Sequence, residues 1–203
     1  MPSATVRELF PTRIHVAPLR RGGARALNAR LLRECQQLRH DDVAGQRWSA
    51  RNYPGGYTSY GSLCRLHTIT DGFAALAKLI DRHVMRYAAA LDLDLDGRAL
   101  SMTDCWINVM GRHAVHGLHL HPVSTISGTY YLCTPTGAPG LKFEDPRLDR
   151  FMASPPRRGS GSWITIPAKA GQLVLFESWL RHEVPMHRSD AERVSVSFNY
   201  HWS

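Results

Sequence analysis

The sequence predicts a mainly β protein with flanking helices, built on a double-stranded β-helix, or jelly roll. Three observations lead there. Two apolar-periodic stretches of helical length lie in the first hundred residues, eight short β-prone runs bounded by turn residues fill the second hundred, and no helical periodicity interrupts those runs. With 203 residues and 43% hydrophobic content, the chain suits one core and one domain, 1–203. We divide it into a helical support region, 1–99, and a jelly-roll core, 100–203.

The first helix is predicted over 23–39, where Leu27, Leu31, Leu32, Cys35 and Leu38 recur at helical spacing between Arg and Gln. The second is predicted over 72–92. There Phe73, Leu76, Ile80, Val84, Tyr87 and Leu91 follow a Thr70-Asp71 start signal. Between them, residues 51–62 read RNYPGGYTSYGS, whose Pro and Gly break regular structure and whose tyrosines offer polar-tipped aromatic surface. Packing against the core is the favoured reading of this loop, and a lid is the alternative.

Strands are predicted at 102–110, 115–121, 126–133, 140–144, 162–167, 171–176, 181–186 and 193–200. The polar, Pro/Gly-rich segment 145–162 is too long for a hairpin turn and is expected to be a mobile loop at one mouth of the barrel.

Composition narrows the function classes. The formal net charge is +8, with arginines at 7, 13, 20, 21, 25 and 30 dispersed among apolar residues. Such a balance favours anionic partners, but no block of charge or nucleic-acid-binding motif accompanies it, so nucleic acid is disfavoured. Cys35, Cys64, Cys105 and Cys133 are widely spaced in apolar surroundings and read as free thiols. With no membrane-length apolar run and no signal-like start, a cytoplasmic setting without membrane association is expected.

Chemistry concentrates in the histidines. Within RHAVHGLHLHP fall His113, His116, His119 and His121. On a strand, His119 and His121 point to one face because side chains alternate. Two such imidazoles need one or two further ligands to hold a divalent ion, and His182, opening a later strand, is the candidate third. Isolated HxH pairs are commonly surface or core residues; the joint pattern argues against that here. His113 and His116 fit an exposed loop better than a role beside the metal.

In RVSVSFNYHW, Arg193, Ser195 and Ser197 share one face of a strand. A guanidinium inside a barrel requires an anion, because an unpaired charge in a low-dielectric interior is costly. That anion is a bound carboxylate or an internal partner such as Glu177 or Glu183.

At this point the residues resemble a known family. ELFPT near the start, YTSYGS, HLHP followed by SGTYYL, FEDPR, LVLFESWLRHEV and RVSVSFNY resemble the Fe(II)/2-oxoglutarate-dependent oxygenases, within them the prolyl-hydroxylase-like group and its small bacterial members. The likeness covers most of the chain and implies the cupin-like form of the jelly roll. It implies Fe(II) as metal, with 2-oxoglutarate and O2 as co-substrates. It assigns His119, His121 and His182 to the metal and Arg193, with Ser195, to the far carboxylate of 2-oxoglutarate. Tyr131 aligns with a co-substrate-binding tyrosine, and Asn108 lies near another pocket position. One departure stands out: His121 occupies the place of the usual carboxylate, leaving Glu177 or Glu183 to supply one if any does.

The implied activity is a dioxygenase that hydroxylates or otherwise oxidises a small molecule or peptide side chain. Trp106, Phe176, Trp179 and the 145–162 loop are candidates to shield the metal. The positive charge, with Arg147, Arg150, Arg157 and Arg158, favours an acidic substrate. Paired edge strands in such barrels suggest a homodimer. Two alternatives stay open: a three-His cupin-type dioxygenase independent of 2-oxoglutarate, and a metal-dependent binding protein without turnover.

Overall fold

The computed structural model describes residues 4–20, 24–147, 155 and 161–203. The elements run β1 (His15–Pro18), α1 (Arg25–Asp41), α2 (Val43–Asn52), β2 (Gly56–Thr58), a 3-10 turn (Leu66–Thr68), α3 (Asp71–Ala90), β3 (Leu100–Met110), β4 (His116–His119), β5 (Ile126–Cys133), β6 (Leu141–Glu144), β7 (Trp163–Ile166), β8 (Gln172–Glu177), β9 (His182–Val184) and β10 (Arg193–Trp202).

The strands form two sheets, one in the order β1-β8-β5-β10-β3-β2 and one in the order β4-β9-β6-β7, with antiparallel pairing throughout. This is the expected double-sheet jelly roll. Each of the eight predicted strands has a counterpart within a few residues. The large sheet also takes β1 and β2 as its two edges, so the front half of the chain completes the sheet as well as supporting it. Four- and three-residue strands carry too little pattern to be read; their pairing partners define them.

Alternation along the strands separates two cores. From β10, Val194, Val196, Phe198 and Tyr200 join Cys105, Ile107 and Val109 of β3 and Leu173 and Leu175 of β8 on the outer face of the large sheet, under the helices. Helix α3 lays Phe73, Leu76, Ile80, Val84 and Tyr87 against them, at the predicted positions. Fully burying each such side chain stabilises the fold by about 1.5–3 kcal/mol. Thr70 is the N-cap of α3, its hydroxyl accepting from Phe73 N–H at 3.2 Å. Helix α2, absent from the sequence reading, is capped by Asp42, whose carboxylate accepts from Gly45 N–H and also from the Tyr57 hydroxyl. This settles Tyr57 of the 51–62 loop as core.

The second core lies between the sheets, with Met110, Tyr131, Val174 and Phe176 facing Leu141, Phe143 and Val184. It fills one part of the interior; polar residues of the same inner face line the rest. Asp145 N–H donates to Ser162 O at 2.8 Å, bringing the two ends of the 145–162 segment together. Most of that segment, including Arg150, Arg157 and Arg158, lies outside the described residues. Among the described residues no helix is long and apolar enough to cross a membrane. The four cysteines are free; Cys35 and Cys105 are buried and Cys64 and Cys133 half-buried.

Candidate metal centre and acid pocket

His119, His121 and His182 converge, each offering a ring nitrogen, with those atoms all within 4.8 Å of one another. His119 and His182 are Cα partners across β4 and β9, so the antiparallel register sets them opposite each other. The predicted strand 115–121 stops at His119, and His121 is held beyond it by its N–H donating to Ser178 O at 3.0 Å. Its position thus comes from a loop contact, with the strand alternation ending two residues earlier.

Second contacts orient the rings. The Nδ1 atoms of His119 and His182 lie 2.7 Å from Gly117 O and 3.0 Å from Leu180 O. A carbonyl only accepts, so each Nδ1 carries the proton and each Nε2 presents a lone pair. His121 Nε2 and His182 Nε2 are 3.4 Å apart. That spacing would let both nitrogens reach one shared ion. Burial and the neighbouring His119 lower His182 to about 3 and His121 to about 4, so both are neutral ligands at physiological pH. The donor set therefore fits a divalent transition metal.

No carboxylate joins the cluster among the described residues. Glu183 points away, as alternation predicted, and pairs with Lys142 at 2.7 Å. Glu177 lies instead beside Tyr87, whose phenol is raised by burial and further by the Glu177 charge. The rings are shielded by Phe176, whose centroid is 4.5 Å from His182, and by Trp106, 6.0 Å from His121. Trp179 is 46% exposed and does not line the site.

The histidines open into a cavity of about 420 Å³, in the range of small-molecule pockets. Asn108, Thr129, Ser195, Ser197 and Asn199 project into it from the inner face of the large sheet. Asn108 Nδ2 donates to Ser197 Oγ at 3.0 Å, and its Oδ1 is buried without a hydrogen-bond partner. Among the described lining residues Arg193 is the one permanently charged side chain. Of the loop arginines, Arg147 is paired with Asp145 at 2.9 Å.

Arg193 is 1% exposed, yet no carboxylate pairs with it among the described residues. Its Nε donates to Pro139 O at 3.0 Å and its Nη1 to Ser195 Oγ at 3.2 Å, while Nη2 is buried without a partner. The internal ion pair to Glu177 or Glu183 does not form. Tyr131 stands behind the arginine, its ring centroid 4.9 Å from the guanidinium carbon, and is not a lining residue. Burial raises its phenol, opposed by the Arg193 charge.

Sequence reasoning missed part of this wall. His116, read as an exposed loop residue, lines the cavity with its Nε2 buried, and burial, Arg193 and His119 lower it to about 3. Tyr53, Thr58 and Tyr60 line it from the 51–62 stretch, and Trp48 and Asn52 from α2. The spacing of three residues from His113 to His116 and from His116 to His119 carried no such signal, because a register shift between His116 and His119 breaks the strand alternation.

The fold is shared with known proteins. Residues 104–199 match the family described as "Putative 2OG-Fe(II) oxygenase". No curated protein sequence matches significantly. Among solved structures, HygX from Streptomyces hygroscopicus with nickel and 2-oxoglutarate bound is 14% identical, with a TM-score of 0.64 over 94% of this chain and 83% of that chain. The non-heme alpha ketoglutarate dependent epimerase SnoN from nogalamycin biosynthesis is 13% identical, with a TM-score of 0.63 over 93% and 77%. A Pseudomonas putida prolyl-4-hydroxylase is 16% identical, with a TM-score of 0.59 over 95% and 94%. At these identities the likeness is one of fold. Residues 104–199 thus carry the likeness to the 2OG-Fe(II) oxygenase family, and the chain as a whole shares the fold of these structures.

Proposed function

We propose that the protein is an Fe(II)- and 2-oxoglutarate-dependent dioxygenase that hydroxylates, or otherwise oxidises, a small molecule or peptide side chain. The observation that carries this reading is Arg193, a buried guanidinium with one donor nitrogen unsatisfied in the same cavity as three converging imidazoles. A buried unpaired donor is costly, and a carboxylate satisfies both its charge and its geometry.

His119, His121 and His182 hold the iron, and Arg193, steadied by Ser195 Oγ, holds the far carboxylate of 2-oxoglutarate. Bound there, the metal supplies oxygen activation coupled to loss of CO2: 2-oxoglutarate, O2 and R–H give succinate, CO2 and R–OH. Three neutral ligands leave the full dipositive charge of the ion to attract the dianionic co-substrate. Phe176 and Trp106 exclude water from the rings, which strengthens each charge interaction inside. Asn108, Thr129 and Ser197 present neutral polar groups along the wall. Among the described lining residues these groups suit a neutral part of the substrate, beside the acidic group that the net charge favours.

The test is an anaerobic titration of the Fe(II)-loaded protein with 2-oxoglutarate, followed by succinate measurement in air. Saturable binding near one equivalent and succinate formation are expected. Oxygen uptake with substrate but no 2-oxoglutarate favours the three-His cupin-type reaction. Binding without succinate from any substrate favours a non-catalytic sensor.

A further inference from the structure

Four residues that line the cavity carry a buried side-chain atom without a hydrogen-bond partner: Tyr53 Oη, Asn108 Oδ1, His116 Nε2 and Arg193 Nη2. Native proteins leave few such groups, so a cluster of them marks a place where a polar ligand sits. One guanidinium nitrogen accounts for a single member. Tyr53 is 5% exposed, lines the cavity, and lies close enough to Arg193 for the guanidinium charge to act on its phenol.

The route by which Tyr53 arrives is written in the Pro-Gly-Gly that follows it. Its own N–H donates to Ser49 O at 2.8 Å, ending α2. Gly55 then takes φ +77°, where a side chain is strained, and reverses the chain into β2. A Cβ at Gly56 would come within 2.4 Å of the Tyr53 ring, so the ring packs closely against Gly56. His116 covers it, with ring centroids 4.4 Å apart. Across the sheet, Gly56 is the Cα partner of Met110, and Met110 of Arg193. The phenol is therefore clamped on the arginine's side of the barrel by residues from both sheets.

We propose that Tyr53 is a second anchor for the dicarboxylate co-substrate: its Oη donates a hydrogen bond to the far carboxylate beside Arg193, and its clamped ring limits the length of acid that fits. This rests on the 2-oxoglutarate reading above. His116 acts through Tyr53 as a positioning residue.

The experiment is calorimetry on the whole Ni(II)-loaded protein, which binds without turnover, using 2-oxoglutarate, pyruvate and 2-oxoadipate as probes. Pyruvate keeps the chelating oxo acid and lacks the far carboxylate. In Tyr53→Phe, 2-oxoglutarate affinity should fall about tenfold or more, the effect of losing a hydrogen bond to a charged group, while pyruvate stays within about twofold of wild type. Gly56→Ala keeps the hydroxyl but displaces the ring; it should weaken 2-oxoglutarate and raise 2-oxoadipate relative to it. Unchanged 2-oxoglutarate affinity in Tyr53→Phe overturns the proposal, as does equal weakening of 2-oxoglutarate and pyruvate, which marks a merely structural role. A wild type that binds pyruvate and 2-oxoglutarate equally, or neither, sinks the co-substrate reading itself.

Discussion

Arg193 stacks over Tyr131, guanidinium carbon 4.9 Å from the ring centroid, while Ser195 Oγ accepts from its Nη1 at 3.2 Å. These contacts hold a planar fork with one nitrogen facing the cavity. Lysine has neither the fork nor the stacking plane. Arg193→Lys should therefore bind 2-oxoglutarate roughly 30–100-fold more weakly, a loss of about 2–3 kcal/mol. Titration of the metal-loaded variant checks this, and wild-type affinity would exclude Arg193 as the anchor.

Metal retention should follow the imidazoles. His182→Ala removes the most buried ligand and should cost more affinity than the roughly 10–100-fold typical of an outer contact. Glu183→Gln, which breaks only the half-exposed pair to Lys142, should leave metal content unchanged. Metal analysis after dialysis separates the two; parallel losses in both would point away from a three-His site.

Acid sensitivity follows from His116, His121 and His182, lowered from 6.5 to about 3, 4 and 3 respectively, chiefly by burial. A depressed pKa means the unfolded chain takes up protons first as pH falls. The stability is fully present above about 6.5 and is lost as pH drops through that value toward the folded pKa, with a limit of about 1.4 kcal/mol per pH unit for each imidazole. The melting temperature of the metal-free protein should thus decline steadily between pH 6.5 and 4. A flat profile there would show that these rings are hydrated.

Gly128 tests the packing under the site. A Cβ there would meet Phe198 Cζ at 2.5 Å and Leu175 Cδ2 at 2.7 Å, both side chains fully buried. Gly128→Ala should destabilise the protein by about 1–3 kcal/mol in denaturant unfolding. A stabilised variant would mean that the strand–helix core has room to spare.

Much of this molecule is legible one element at a time. The strand Ile126–Cys133 falls where it was predicted, and α3 buries the five apolar positions that its spacing nominated. The alternation of RVSVSFNY put Arg193 and Ser195 on the cavity side and Val194 and Val196 in the core. Periodicity suffices there because each face of those elements meets one environment.

Tertiary structure decided what depends on partners distant in the chain. His121 is placed by Ser178 O beyond the end of its strand, β1 and β2 exist through the edges they pair with, and His116 turns inward against Tyr53. Sequence by itself determined the jelly roll and named three histidines and an arginine, because period-two patterning and residue chemistry are local. That no carboxylate among the described residues reaches the histidines, and that a tyrosine from the helical half lines the same cavity as Arg193, are consequences of packing between segments, which no single segment encodes.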